Sequence, residues 1–155
     1  MKIIQKITPF LWFDRDAQQA AEFYVSVFGK GSKINDSAPL EDTPSGPGTA
    51  VISVTLAGME FTFISGGPFM KINSAVSFVI NCENQAEVDY YWEKLSAVRE
   101  AEQCGWLQDK FGVTWQVVPV RLAELLADKD IEKSARVKQA MLKMKKLDIA
   151  LLEKA

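Results

Sequence analysis

The chain has 155 residues, 48% of them apolar and 25% charged, with a formal charge of −2 from 18 basic and 20 acidic side chains and no histidine. A chain of this length buries roughly 70% of the surface its unfolded form exposes, so one domain, or two small halves sharing a core, folds without disulfides or a structural metal. The missing histidine excludes Ser-His-Asp and Cys-His hydrolysis, His-ligated zinc chemistry and His phosphotransfer, and leaves any metal to carboxylates, carbonyls and the two cysteines.

Ile3 to Phe13 is β-rich, and Asp14-Arg15-Asp16 follows with turn and N-cap chemistry. Ala17, Ala20, Ala21, Tyr24, Val27 and Phe28 then recur at helical spacing until Gly29 closes the element. A short strand is expected over Ser32 to Asp36, and Ser37 to Gly48, with three prolines, reads as a loop. Thr49 to Leu56 and Met59 to Ser65 form a hairpin about Ala57-Gly58, with Phe61 and Phe63 on one face of the second strand.

The plan then repeats. Ser74 to Cys82 reads as a strand, and Glu83-Asn84 caps a helix carrying Ala86, Val88, Tyr91, Trp92 and Leu95. Short segments over Val98 to Gln103 and Gly105 to Asp109 precede a β-run from Val113 to Pro119. A shift of 67 residues superposes Asp14 on Asn81, Ala21 on Val88 and Tyr24 on Tyr91, which points to duplication through element order and apolar spacing.

Residues 121–155 differ in composition, with nine basic side chains against six acidic. A short helix is expected around Leu122 to Ala127 and a longer one from Ile131 to Leu152, its apolar face formed by Val137, Ala140, Met141, Met144, Leu147 and Leu151. The tail has no aromatic residue and intersperses acids among its lysines, and the whole chain is acidic, so no nucleic-acid footprint is expected. Cys82 and Cys104 form no C-x-x-C pair, the first nine residues contain no signal-peptide core, and no window reaches 18 uninterrupted apolar residues. The expectation is a cytoplasmic protein with reduced thiols and no membrane partner.

Two β-α-β-β-β blocks, the first reading Ile7-Thr8-Pro9-Phe10-Leu11-Trp12-Phe13 and then Ala20-Ala21-Glu22-Phe23-Tyr24-Val25-Ser26-Val27-Phe28-Gly29, resemble the vicinal-oxygen-chelate (glyoxalase/bleomycin-resistance/dihydroxybiphenyl dioxygenase) superfamily. The run from Cys104-Gly105-Trp106 through Asp109-Lys110-Phe111-Gly112-Val113-Thr114-Trp115-Gln116 to Pro119 is similar to the signature of its PhnB-like branch, often labelled 3-demethylubiquinone-9 3-methyltransferase. The resemblance covers about residues 3–152. It implies an α+β fold in which modules at about 3–66 and 72–119, together residues 1–120, form a cupped mixed sheet. Residues 121–155 then form a helical extension packed on the same domain or on a partner subunit, and a homodimer is implied.

Methyl transfer on a doubly wound fold needs a glycine-rich turn that opens a helix, and neither Gly29-Lys30-Gly31 nor Gly46-Pro47-Gly48 is so placed. The superfamily's metal positions, carried over, fall near Thr8-Pro9, Ser74-Ala75, Ile64-Ser65 and Gln116, where hydroxyls and an amide make weak ligands. The resemblance therefore argues for no metal and no cofactor, and against methyltransferase and metal-dependent glyoxalase or dioxygenase activity. The expected partner is a small, partly apolar molecule in the sheet cavity. Its expected binding residues are Gln116 and Thr114 on the last strand, with Phe63 and Trp106 as wall residues.

Each of these has a plainer reading. Gln116 serves equally to satisfy buried backbone groups, and aromatic residues on strands also build cores. Cys104 is the candidate nucleophile should the protein be an enzyme, with Lys110 or a helix terminus as activator, or else a small residue in a tight turn. The alternatives to binding are an enzyme using a carboxylate or Cys104, and an oligomerisation or partner-binding module acting through the C-terminal helices.

Overall fold

The computed structural model describes residues 5–155, and the chain divides into two units after Ile72. In the first unit, strand β1 (Phe10–Phe13) leads into helix α1 (Ala17–Phe28), followed by β2 (Lys33–Pro39), β3 (Ala50–Leu56) and β4 (Met59–Ser65). The sheet order is β1-β4-β3-β2, with β1 parallel to β4 and the other pairs antiparallel. The expected first strand starts later than its β-rich composition suggests, at Phe10, and Ile3 and Ile4 lie outside the described residues. β2 runs on to Pro39 because its backbone pairs with β3 as far as Ala50, which shortens the expected loop.

Helix α1 buries Ala17, Ala20, Ala21, Tyr24 and Val27 against the sheet face that carries Ile52, Val54, Phe61 and Phe63. Small residues on the helix let it approach closely, and the aromatic rings fill the space: Phe63 stands edge-on to Phe13 at 5.0 Å and to Tyr24 at 5.8 Å. Each such ring contributes about 2–3 kcal/mol by burial. Asp16 occupies the N-cap position without a side-chain cap, and the Ala17 N–H donates instead to Ser65 Oγ at 3.2 Å. The end of β4 thereby supplies the cap that Asp14-Arg15-Asp16 was expected to provide.

The second unit opens with β5 (Ser77–Cys82) and helix α2 (Gln85–Leu95), then a 3-10 turn (Arg99–Ala101), β6 (Trp106–Gln108) and β7 (Thr114–Pro119). Asn84 caps α2 as its sequence position predicts, accepting from Glu87 N–H. The 67-residue shift carries β1 onto Ser77–Ile80 and α1 onto residues 84–95, so strand and helix recur in register. The fold class is α+β, as expected, but the second module is one strand short. Its sheet has the order β5-β7-β6, and where β2 would recur there is the 3-10 turn and a single bridge between Gln103 and Trp106.

Three helices complete the second unit: α3 (Val120–Leu126), α4 (Ile131–Leu142) and α5 (Ile149–Glu153). Leu122, Leu125, Val137, Leu147 and Leu152 form their shared core. The single long helix expected over Ile131 to Leu152 is broken at residues 143–148. There the carbonyls of Met144 and Lys145 turn aside to accept from Cys104 N–H at 2.9 Å and Gly105 N–H at 2.7 Å, and Asp148 starts a new helix by capping Leu151 N–H. The break shifts the apolar register, so that Leu151 is 55% exposed while Leu152 is 1% exposed. Gln85 ties the segment to α2, donating to Leu147 O and accepting from Ile149 N–H.

Candidate functional site

Strand alternation gives the second sheet two faces. Leu107, Trp115 and Val117 are buried on one, and Trp106, Gln108, Thr114 and Gln116 lie on the other. On that second face is an open cleft of about 710 Å³. Trp106 and Gln108 from β6 and Thr114 from β7 make its floor, and Ser74 and Ala101 lie at its edge. Gln103 and Cys104 form one wall, and Met141 and Leu142 from the last turn of α4 form another.

Local chemistry explains how these residues are held. Gln103 and Trp106 exchange backbone hydrogen bonds across Cys104-Gly105, whose φ angles of 49° and 85° make a two-residue hairpin turn of the kind in which both central residues are left-handed. Only glycine fits at the second place, because a Cβ on Gly105 would lie 2.9 Å from the Val117 carbonyl and 3.1 Å from Leu147. The turn is then anchored from outside: Gln103 Nε2 donates to Leu142 O, and the Cys104 and Gly105 amides donate to the strap after α4. The wall from α4 and the floor from β6 are therefore one hydrogen-bonded assembly.

Asp109 fixes the other end of the β6–β7 hairpin. It is buried, its Oδ1 accepts from the amides of Phe111 and Val113 at 2.8 and 3.0 Å, and its Oδ2 accepts from the Trp115 indole at 2.8 Å. The Asp109-to-Trp115 signature is thus a clamp that sets the register of Thr114. Among the described residues no carboxylate lines the cleft.

Thr114 is 4% exposed, and its hydroxyl is buried with no hydrogen-bond partner among the described residues. Its register neighbours are Ser77 and Gln108. Ser77 Oγ accepts from Gln116 Nε2 at 2.9 Å, and the Gln108 amide donates to Gly112 O at 3.3 Å. A buried polar atom left unpaired is costly, and native folds carry few of them.

Of the residues expected from sequence, Trp106, Thr114 and Cys104 come together in the cleft. Gln116 shares their face, opposite Trp106 in register, but its amide is directed to Ser77 rather than into the lining. Phe63 belongs to the first unit and lies on the helix-covered side of its sheet, in ring contact with Tyr24 of α1. A place on a cavity wall required the opposite face; alternation pairs Phe61 with Phe63 but leaves open which face the helix covers. Gln108 was missed, although its alternation with Trp106 on β6 would have found it. Met141 and Leu142 carried no signal, since an apolar helix face reads as core.

The positions at which the superfamily holds a divalent metal do not fit one in this chain. Thr8 and Pro9 precede β1, Ser74 and Ala75 precede β5, and Ser65 Oγ is engaged by the amide of Ala17. Among the described residues no group of three or more His, Cys, Asp or Glu side chains is placed to hold a metal ion. Cys82 and Cys104 are free thiols; burial, reinforced by Glu87, pushes the Cys82 thiol up to about 12. Among the described residues no helix is long and apolar enough to cross a membrane.

A family model described as 3-demethylubiquinone-9 3-methyltransferase matches residues 5–118. A Bacillus cereus PhnB protein, provisionally named as such a methyltransferase, is 32% identical, with a TM-score of 0.62 over 75% of this chain and 100% of its own. Protein PA1353 from Pseudomonas aeruginosa aligns at 18% identity and TM-score 0.57 over 75% of this chain and 98% of its own. The fosfomycin resistance protein FosX from Mesorhizobium loti aligns at 14% and 0.53 over 81% and 100%, and these two likenesses concern the fold alone. No curated protein matches the chain. The duplicated strand–helix plan and these matches agree: the chain belongs to the PhnB-like 3-demethylubiquinone-9 3-methyltransferase family.

Proposed function

We propose that the protein binds a small, partly apolar molecule, without a metal, in the cleft on the open face of the β5-β7-β6 sheet. The observation that carries this reading is the cleft of about 710 Å³ itself, whose lining sets the apolar surfaces of Trp106, Met141 and Leu142 beside the amides of Gln103 and Gln108. Binding sites commonly combine apolar walls with a few placed polar groups. Gln116, next along the same face, extends the polar floor toward Ser77.

The family's descriptive name does not bring methyl transfer with it. Gly29 and Gly31 lie between α1 and β2, and Gly46 and Gly48 lie in the loop before β3, so neither pair opens a helix to receive a cofactor. An enzymatic reading rests on Cys104, whose thiol lines the cleft, while the carboxylate of Asp109 is spent on the hairpin. The proposal includes a cytoplasmic homodimer, which light scattering and cell fractionation address.

Thermal-shift screening of small, partly apolar compounds in the presence of a chelator tests the binding role. The expected result is a set of stabilising compounds whose effect is lost in Trp106→Ala. Stabilisation that appears only with added divalent metal, or no stabilising compound at all, would overturn it.

A further inference from the structure

The connection between β2 and β3 in the first unit has the build of a lid. Its neck is closed by the last ladder pair, Pro39 opposite Ala50, and by Leu40 N–H, which donates to Thr49 O at 2.9 Å. Beyond the neck the chain folds on itself: Gly46 N–H donates to Thr43 O at 3.0 Å, and the Thr49 hydroxyl donates to Gly46 O at 2.8 Å. Left-handed residues make the bends, with φ of 54° at Asp42, 77° at Gly46 and 83° at Gly48. The result is a compact surface loop with adjacent ends. Its residues surround a hollow of about 490 Å³ instead of packing on one another, and Glu41, Asp42, Pro44 and Pro47 are exposed. Burial therefore does little to fix its position.

Arg15, at the corner between β1 and α1, reaches across to it. Nη2 donates to Ser45 O at 2.7 Å, and Nη1 donates to Ser65 O, at the end of β4, at 3.4 Å. Among the described residues the Arg15–Ser45 bond is the one hydrogen bond that joins residues 41–48 to chain outside the loop. The guanidinium lies between two glycines: a Cβ on Gly67 would meet Nη2 at 3.1 Å, and one on Gly48 would meet Nη1 at 3.9 Å. The corner itself is firmly held, because Gly66 N–H donates to Phe13 O, Gly67 N–H to Asp14 O and the Trp12 indole to Gly67 O. A rigid corner thus grips a loosely packed loop through one charge-assisted fork.

We infer that residues 40–48 form a lid beside the end of β4, that Arg15 is its clasp, and that the lid swings about its neck when the guanidinium lets go of Ser45. Opening leaves the β3–β4 ladder and α1 intact, because their backbone bonds do not run through the loop. It frees the Nη2 edge of the guanidinium beside the Ser65 carbonyl and the Gly66-Gly67 turn, so the lid controls access to that corner. This goes beyond the binding role of the cleft in the second unit and stands apart from it.

The test compares the full chain with Arg15→Gln, whose shorter neutral side chain cannot span both carbonyls, and with Arg15→Lys, which keeps the charge without the fork. Backbone NMR relaxation is expected to give order parameters of about 0.8 at Thr43, Ser45, Gly46 and Gly48 in the parent, below about 0.6 in Arg15→Gln and between the two in Arg15→Lys. Those of β3, β4 and α1 stay unchanged. Cleavage after the exposed Glu41 by a glutamate-specific protease quickens at least about fivefold in Arg15→Gln, while Tm stays within about 2 °C of the parent. A loop as mobile in the parent as in Arg15→Gln, or one that stays ordered and resistant in that variant, overturns the inference. Loss of order spread through β3, β4 and α1 with a lowered Tm overturns it as well, because Arg15 would then be a strut of the fold.

Discussion

Replacing Thr114 by valine is expected to make the ligand-free protein more stable, a sign opposite to that of most substitutions. Valine keeps the branched shape and the β-propensity of threonine while exchanging the hydroxyl for a methyl group. The hydroxyl is buried and lacks a partner among the described residues, so the folded state loses its hydration without compensation. An unsatisfied buried polar group costs about 1–3 kcal/mol, and relief of about 1–2 kcal/mol in a chain of this length raises Tm by roughly 2–8 °C. Scanning calorimetry of protein freed of small molecules, with urea unfolding as a second probe, reads the change. A variant less stable than the parent would refute the reasoning, because it would mean that the hydroxyl has a partner in the folded protein.

Asp109→Asn places an amide N–H against the Trp115 indole N–H or the backbone amides and weakens three charge-assisted hydrogen bonds, so a loss of about 2–4 kcal/mol in urea unfolding is expected. Gly105→Ala introduces a Cβ at positive φ against the Val117 carbonyl, and is expected to cost more than about 1 kcal/mol and to displace the Met144–Leu147 strap, visible as loss of amide-exchange protection at Cys104 and Gly105. Alkylation near pH 8 is expected to modify Cys104 and spare Cys82 until the protein unfolds, which peptide mass spectrometry distinguishes. The Cys82 thiol is raised from its ordinary value of 9.0 to about 12, so the unfolded chain releases that proton first; the stability it contributes is whole below about pH 9 and declines as pH rises toward 12, as alkaline urea titrations will show.

Strand and helix positions were legible wherever a local period dominates. Tyr24 and Val27 mark α1, Val88 and Leu95 mark α2, and the β3–β4 hairpin follows from Ala57-Gly58 and its flanking alternation. The tail was less so, because backbone bonds from the Cys104-Gly105 turn capture the carbonyls of Met144 and Lys145, and no helical period records a partner 40 residues away. In the site, β7 parity separated Thr114 and Gln116 from Trp115 and Val117 correctly. Parity did not reveal that Gln116 turns to Ser77, nor that α1 covers the Phe63 face, since both depend on which element packs on which side. The isolated hydroxyl of Thr114 has no sequence signature at all, because burial of one atom on a strand depends on what packs over it.

A crystal structure of the chelator-treated protein with the most strongly stabilising compound tests the central claim most directly. The account predicts the compound over Trp106 and against Met141, its polar group beside the amides of Gln103 and Gln108, and no metal ion between protein and ligand. A compound held away from the β6–β7 face, or held there through a divalent cation after metal is restored, would contradict it.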